Sequence, residues 1–151
     1  MAVSAVVSGG QTGVDRAALD VARALSLQHG GWCPKGRKAE DGTIPPGYLL
    51  KETPRSDYTQ RTEWNVRDSD GTLLLTRGAL SGGTAQTVES ATRLRKPWLL
   101  LDLEQAPDIA AARRWLRANR IRVLNVAGPR ESKSPGIYAQ TGTFLRTLLS
   151  A

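Results

Sequence analysis

Residues 2–13 read AVSAVVSGGQTG, and this segment sets the architecture expected for the whole chain. The apolar run from Ala2 to Ser8 is typical of a short buried strand, and Gly9-Gly10 ends it in a turn. From Gly13 onward six apolar residues recur at helical spacing: Val14, Ala17, Ala18, Val21, Ala22 and Leu25. A strand, a glycine turn and a helix in this order predict the first unit of a parallel α/β sheet.

The same alternation continues to the end of the chain. Four further strands are predicted, near Gly31 to Cys33 and over 72–76, 97–103 and 121–126. Three further helices are predicted, over 85–94, from Pro107 to about Asn119, and from a Ser134-Pro135 cap to Leu149. We therefore expect an α/β fold, a three-layer Rossmann-like domain with a mainly parallel sheet of about five strands, formed by residues 1–151 as a single domain.

One long segment, residues 34–69, interrupts this alternation. It is polar, and its first half is rich in proline and glycine, whereas a helical stretch is predicted around Tyr58 to Val66. Long loops inside compact domains are usually functional or disordered. The aromatic residues Tyr48, Tyr58 and Trp64 favour an ordered lid or wall over a linker.

Composition excludes several classes of protein. The single cysteine, Cys33, excludes an internal disulfide framework and a cysteine-cluster zinc site, and the single histidine, His29, gives little support to a Ser-His-Asp triad or a histidine-rich metal site. No apolar run approaches the ~18 residues of a membrane span, and no signal-peptide pattern follows Met1, so a cytoplasmic protein without membrane contact is expected. The formal net charge of +7 admits nucleic acid, an acidic partner or a small phosphorylated ligand.

Glycine-rich or basic segments follow the predicted strands. Ligands of open parallel sheets bind beyond the carboxyl ends of the strands, where glycines permit close approach and helix N-termini attract anions. We therefore predict a bipartite site for a phosphate-bearing ligand. Its candidate residues are Gly9, Gly10, Gln11, Thr12, Gly13, Arg16, Lys35, Arg37, Arg77, Ser81, Gly82, Gly83, Thr84 and Arg130.

Competing interpretations exist for parts of this pattern. The first turn is neither a P-loop nor a dinucleotide fingerprint, and Lys35 and Arg37 stand where an acidic ribose-binding residue would be expected, which argues against NAD. Thr12 and Asp15 also fit a helix capping box. Cys33 is either an inert small residue or a contact to the ligand or its metal.

Four arginines lie close together in the helix predicted after Pro107: Arg113, Arg114, Arg117 and Arg120. They fit either a solvated helix face or a nucleic-acid surface. No helix-turn-helix or RNA-binding signature accompanies them, which favours the solvated face.

Six segments carry a resemblance to a known family: SGGQTGVDRAALD (8–20), GGWCPKGRKAEDGTIP (30–45), RTEWNVRDSDGTLLL (61–75), LSGGT (80–84), RKPWLLLDL (95–103) and LNVAGPRESKSPGIY (124–138). They closely resemble the molybdenum carrier (molybdenum cofactor carrier protein) family of the SLOG, lysine-decarboxylase-like Rossmann superfamily. The resemblance implies a cytoplasmic homo-oligomer, a dimer or tetramer, that binds molybdenum cofactor (molybdopterin). This ligand is a pterin that bears a phosphate and a dithiolene-held oxo-metal, and the resemblance implies molybdoenzymes as its recipients.

The related Lonely-guy enzymes of this superfamily imply an alternative. They hydrolyse nucleoside monophosphates and carry a PGGxGTxxE motif, which aligns with SGGTAQTVE at residues 81–89. The two leading glycines and Glu89 match, whereas Ser81, Ala85 and Gln86 replace the proline, the third glycine and the threonine. The alternative is thus a nucleotide-binding or nucleoside-monophosphate-hydrolysing enzyme with Glu89 as its catalytic acid.

Overall fold

The computed structural model describes residues 2–80 and 82–150, which form short strands and five α-helices. In chain order these are β1 (Ala5–Val7), α1 (Val14–Ala24), β2 (Gln28–Gly30), β3 (Trp32–Cys33), β4 (Lys38–Ala39), β5 (Gly42–Thr43), β6 (Lys51–Glu52), α2 (Tyr58–Arg67), β7 (Gly71–Thr76), α3 (Gly82–Arg93), β8 (Trp98–Asp102), α4 (Ile109–Ala118), β9 (Val123–Ala127) and α5 (Ile137–Leu149). A 3₁₀ turn at Leu103–Gln105 follows β8. No helix in the described part of the chain is long and apolar enough to cross a membrane.

Five strands form one parallel sheet in the spatial order β2-β1-β9-β7-β8. The last strand of the chain, β9, lies between β1 and β7, so that Val6 pairs with Leu124 and Leu73 pairs with Val126. Strand β7 is buried along its whole length, as expected for a central strand of a sheet covered on both faces. The predicted α/β, Rossmann-like fold is confirmed.

The two faces of the sheet carry different chemistry. Leu73 and Leu75 of β7 belong to a large apolar core together with residues of α1, α4 and α5. Because side chains alternate along a strand, Leu74 points to the opposite face, as does Asn125 between the core residues Leu124 and Val126. Helix α3 contributes mainly small polar residues to its buried side, and it packs against α2. The α2/α3 face is therefore the more polar one.

The second strand of the main sheet lies earlier than predicted. The sequence favoured the segment near Gly31 to Cys33, but β2 is Gln28–Gly30, and Trp32–Cys33 pairs instead with Lys51–Glu52. Gly31 separates the two segments because it adopts φ +122°, a conformation that a side chain would strain. The sequence did not reveal β2 because β2 is a polar edge strand, whose residues are only half-buried or exposed.

Two of the predicted helix starts are also corrected. The N-cap of α1 is Gly13 at φ +78° without a side-chain hydrogen bond, so Thr12 and Asp15 do not form the predicted capping box. Helix α5 begins after Gly136 at φ +90° instead of at Ser134-Pro135, because residues 131–136 form turns.

The 34–69 segment is ordered, and its helix α2 confirms the stretch predicted around Tyr58 to Val66. The remainder contains short paired strands and a loop held by Arg37. Its guanidinium donates to four backbone carbonyls, at 2.8 Å to Pro45, 2.9 Å to Tyr48, 3.2 Å to Ile44 and 3.3 Å to Leu50. These four contacts fix the course of the 44–50 loop.

Candidate functional site

A cleft of about 260 Å³ opens beyond the carboxyl ends of β1 and β9, between α2 and the start of α3. Its lining is mostly polar and comes from four parts of the chain that are distant in sequence. The lining residues are Gly9, Gln11, Asp15, Tyr58, Arg61, Thr62, Asn65, Gly83, Thr84, Gln86, Thr87, Asn125, Val126, Ala127, Gly128, Pro129, Arg130 and Lys133.

The topology of the sheet explains why the cleft lies here. After β1 the chain builds β2 on one side and then crosses to β7 and β8 on the other. Strand β9 returns into the gap. The chain leaves β1 and β9 toward α1 and α5, which pack together on one face, and it leaves β7 toward α3 on the other face, so the connections diverge between β9 and β7. A position at which strand order reverses is where open α/β sheets bind ligands. The two glycine turns after β1 and β7 therefore do not belong to neighbouring strands, and the end of β9 lies between them.

Three cations line this cleft, namely Arg61 of α2 and Arg130 and Lys133 after β9. The guanidinium carbons of Arg61 and Arg130 lie 5.0 and 5.8 Å from the centroid of the Tyr58 ring, and Nζ of Lys38 lies 4.9 Å from it. Within the described ranges, neither Arg130 nor Lys133 forms an ion pair with a carboxylate. Positive charge is thus concentrated around one aromatic ring at the edge of the cleft.

Among the described residues, Asp15 is the one acidic residue in the lining, and it is buried. Its Oδ2 lies 3.7 Å from Nη1 of Arg61 and accepts a hydrogen bond of 3.3 Å from the backbone N–H of Gln11. Burial raises the pKa of Asp15 to about 6, although Arg61, the Gln11 N–H and Arg16 lower it in part. The carboxylate is therefore ionised at neutral pH but close to its titration range.

Gln11 contributes a buried donor to the cleft. Its side-chain oxygen accepts hydrogen bonds from the backbone N–H groups of Thr12 and Glu40, at 3.0 and 2.8 Å. Its side-chain nitrogen is buried and has no hydrogen-bond partner among the described residues. A buried amide donor is costly unless a water, an ion or a ligand accepts from it.

The glycines of the cleft serve two different purposes. A Cβ at Gly9 would lie 2.1 Å from Nη1 of Arg61, so the absence of a side chain allows the guanidinium to lie over this turn. A Cβ at Gly83 would meet nothing within 4 Å, and its backbone is not in a strained conformation. The chain itself therefore gives no packing reason for glycine at position 83, where the first turn of α3 presents backbone N–H groups that have no partner inside the helix.

The predicted site residues divide into two groups. Five of them line the cleft: Gly9, Gln11, Gly83, Thr84 and Arg130. Among the others, Ser81 lies outside the described residues, and Gly82 is exposed beside the cleft without lining it.

The remaining predicted cations are engaged elsewhere. Arg16 is buried in a two-bond ion pair with Asp41, at 3.0 and 3.2 Å. Lys35 is exposed on the loop after β3, and Arg37 holds the 44–50 loop as described above. Arg77 donates to the Ser134 hydroxyl at 3.2 Å and to the Pro135 carbonyl, and so braces the turn before α5.

Gly10, Thr12 and Gly13 lie behind the cleft and fix the loops that form it. A Cβ at Gly13 would lie 2.4 Å from the Pro129 carbonyl oxygen, and one at Gly10 would lie 2.6 Å from the Leu50 side chain. The Thr12 hydroxyl donates to the Glu40 carboxylate, which also accepts from the backbone N–H of Ser132 at 3.2 Å and from its hydroxyl. Glu40 thus connects the 34–69 segment to the loop that carries Arg130.

Two candidate residues for other chemistry lie apart from the cleft. Cys33 is fully buried on β3, and burial raises the pKa of its thiol, so it presents no thiolate to the cleft. Glu89 is exposed on α3 and does not line the cleft. Within the described ranges no group of three histidine, cysteine, aspartate or glutamate side chains is arranged to hold a metal ion.

The arginines of α4 have separate surroundings. Arg114 and Arg117 of α4 are exposed, as is Arg120 two residues beyond its end, as the interpretation of a solvated face predicts. Arg113 is half-buried and donates to the carbonyls of Thr147 and Leu148, at 2.6 and 3.4 Å. These carbonyls lie at the C-terminus of α5, where a cation stabilises a helix.

Sequence reasoning missed the residues that α2 brings to the cleft, above all Tyr58 and Arg61. Their segment matched a helix, but no local pattern shows that this helix packs beside α3 and reaches back to the turn after β1. Lys133 was also missed, although it lies three residues after Arg130, beyond the same strand end.

Comparison with known proteins agrees with this architecture. A solved structure from Syntrophus aciditrophicus SB, described as that of a candidate molybdenum carrier protein, is 48% identical, with a TM-score of 0.94 over 99% of this chain and 96% of that one. A second solved structure, that of (E)-4-hydroxy-3-methyl-but-2-enyl diphosphate reductase, is 13% identical with a TM-score of 0.42, covering 96% of this chain and 59% of that one, and this weak likeness carries no functional argument. No functionally curated protein matches the chain significantly.

The family assignment rests on a match to nearly the whole chain. Residues 6–149, from the first strand to the last residue of α5, fit the model of the circularly permutated YpsA SLOG family. We conclude that this chain belongs to the circularly permutated YpsA SLOG family.

Proposed function

We propose that this chain is a binding protein that holds a small anionic, phosphate-bearing ligand in the cleft beyond β1 and β9. The observation that carries the proposal is the clustering of Arg61, Arg130 and Lys133 around a polar cleft whose one acidic residue, Asp15, is already close to an arginine. Guanidinium and ammonium groups, together with backbone N–H donors at the start of a helix, are the groups that bind phosphate.

Molybdenum cofactor is the ligand that we propose first, because the relative that is 48% identical is described as a candidate molybdenum carrier protein. The residues present fit the anionic groups of this ligand. The cations and the N–H groups near Gly83 would hold phosphate, and Tyr58 offers an aromatic surface beside the cleft for the pterin. The described lining residues include no cysteine, methionine or histidine, so this lining offers the metal neither a soft sulfur ligand nor an imidazole.

A carrier role follows from this chemistry. A reactive ligand held in the cleft would be less accessible to oxidants than in solution, and release to a molybdoenzyme would complete the transfer. We further propose that the chain assembles with copies of itself, as the resemblance implies, and that it acts in the cytoplasm.

The decisive test compares ligands and variants. Calorimetry under anaerobic conditions should give saturable binding of molybdenum cofactor to the wild-type protein. On exposure to air, the bound cofactor should be oxidised more slowly than the free cofactor. Arg61→Gln should weaken binding, whereas Arg114→Gln, which removes an exposed charge from α4, should not. Cofactor that neither binds nor gains protection would contradict the carrier proposal.

The alternative ligand is a nucleotide, which has the same phosphate chemistry. If the protein binds AMP but does not bind molybdenum cofactor, the cleft is a nucleotide-binding site. Release of the base from AMP, lost in Glu89→Gln, would favour the hydrolase alternative. The exposed position of Glu89 outside the cleft gives that alternative no support.

A further inference from the structure

We infer that Asp15 takes up a proton when an anion binds to Arg61, so that the cleft binds its ligand together with one proton. This inference rests on the proposed function, since it requires an anion in the cleft. It starts from the pair of Asp15 and Arg61, whose charged groups are 3.7 Å apart and whose side chains are only 8% and 12% exposed.

An anion that enters the cleft competes for the guanidinium of Arg61. In the free protein this group faces Asp15 and donates a hydrogen bond of 2.9 Å to the carbonyl of Gly9. A ligand phosphate or oxo-anion that engages Arg61 weakens its attraction to Asp15 and adds a second negative charge near the carboxylate. Both effects destabilise the ionised form of a buried acid.

The surroundings of Asp15 make protonation the favourable response. The charged groups that act on it are Arg61 from α2 and Arg16 from its own helix, and Arg130 and Lys133 from the segment after β9 line the same cleft. The parts of α3 and β9 that line the cleft are uncharged. Ligand binding neutralises the nearby cations, and the pKa of Asp15, already raised by burial to about 6, then rises further.

The consequence is a linkage between ligand affinity and pH. Between the pKa of Asp15 in the free protein and its higher value in the complex, affinity should fall about tenfold for each pH unit of increase. Below about pH 6 Asp15 is protonated in both states, and affinity should become independent of pH. A carrier built this way holds its ligand more tightly in acidic than in alkaline solution.

The test uses sulfate, an anion whose own charge does not change in the range concerned. Its affinity for the wild-type protein is measured by calorimetry from about pH 5 to about pH 8, in buffers of different ionisation enthalpy that report proton uptake. We expect uptake approaching one proton per sulfate in the wild type near neutral pH, and a flat affinity profile without uptake in Asp15→Asn. Asparagine retains an acceptor for the Gln11 N–H, and circular dichroism verifies that the variant is folded.

Two control variants separate Asp15 from other titrating groups. Glu63→Gln removes one negative charge from a half-buried position on α2, where Glu63 pairs with Arg93 outside the cleft. His29→Gln removes the single histidine, which lies on β2 outside the cleft. Both should keep the wild-type pH profile.

The outcomes distinguish this inference from the proposed function. Sulfate binding without proton uptake, or an unchanged pH profile in Asp15→Asn, overturns the inference and leaves the binding site standing. Absence of saturable sulfate binding at every pH contradicts both. Direct titration of the Asp15 carboxyl by carbon-13 NMR, with and without sulfate, gives a second readout, and an unchanged pKa in the complex also overturns the inference.

Discussion

The guanidinium of Arg61 lies over Gly9, close enough that a methyl group at position 9 would stand 2.1 Å from Nη1, and it donates to the Gly9 carbonyl at 2.9 Å. This contact joins helix α2, which belongs to the 34–69 segment, to the turn that follows the first strand. The side chain that supplies a central cation of the cleft is thus positioned by a glycine 52 residues earlier in the chain.

Gly9→Ala is expected to weaken anion binding by displacing Arg61. The Cβ conflicts with three atoms of that side chain, whereas Gly9 itself is not in a conformation that strains a side chain. In a double-mutant cycle, Gly9→Ala should therefore have little further effect on sulfate affinity once Arg61→Gln is present. Additive losses would show that Gly9 acts independently of Arg61.

Arg61→Gln is expected to lower anion affinity by about 10- to 100-fold, the usual effect of losing a hydrogen bond to a charged group. It also leaves Asp15 buried without its closest cation, so the pKa of Asp15 should rise above about 6. Calorimetry and carbon-13 NMR measure the two effects. If Arg61→Gln binds anions as tightly as Arg114→Gln does, Arg61 is not part of the binding site.

Asp15 should make the protein less stable as pH rises through about 6. Its pKa in the folded state is above its ordinary value of 3.8, so its contribution to stability is fully present below that value and is lost as the pH passes the folded-state pKa. The loss amounts to about 3 kcal/mol of unfolding free energy in the wild type, and Asp15→Asn should lack it.

Denaturant unfolding between about pH 5 and about pH 8 measures the upper part of this loss, about 1.4 kcal/mol, because the remainder occurs between pH 3.8 and about pH 5. The carboxyls of Asp41 and Asp68 have lowered pKa values and titrate below this window, so they do not obscure the result. If the unfolding free energies of the wild type and Asp15→Asn change with pH in the same way, Asp15 is not a buried carboxyl that titrates in this range.

Gly83→Ala should separate binding from folding. A methyl group meets nothing within 4 Å at this position, and alanine favours a helix by up to about 1 kcal/mol over glycine. The midpoint temperature of thermal unfolding should therefore be unchanged or slightly raised. If the ligand approaches the backbone here, its affinity should fall several-fold. If Gly83→Ala binds the ligand with the affinity of the wild type, the start of α3 is not part of the binding surface.

Glu40→Gln tests whether a loop contact positions the cations. Glu40 joins Thr12 to Ser132, two residues beyond Arg130, and the Ser132 and Thr12 contacts help to lower its pKa. Removal of a negative charge near Arg130 should by itself strengthen anion binding. We expect several-fold weaker sulfate binding instead, with faster amide exchange at residues 130–133, because the loop is released. Tighter binding would show that only the charge matters.

Local patterns predicted the fold where strands are buried and helices are amphipathic. Strand β7 and helix α1 each lie within a few residues of their expected bounds, because their apolar periodicity records burial directly. Strand β2 was misplaced because an edge strand with polar residues has no such periodicity. The conformation of Gly31 that ends it is a property of the backbone and is not visible in its residue type.

The candidate site could be predicted only where it follows strand ends. Gly9, Gln11 and Arg130 line the cleft and stand directly after β1 and β9. Tyr58 and Arg61 could not be placed, because their position depends on how α2 packs against α3 and β3. Conversely, Arg16 stands at a strand end but turns to Asp41, an ion pair that no local pattern reveals.

Mass spectrometry of small molecules that copurify with the protein bears most directly on whether the cleft is a binding site for a phosphate-bearing anion. Wild-type protein, Arg61→Gln and Arg114→Gln are purified in parallel under anaerobic conditions. We predict a phosphate-bearing pterin with the wild type and with Arg114→Gln, and its loss from Arg61→Gln. A ligand that is uncharged, or that copurifies equally with all three proteins, would contradict the proposed site.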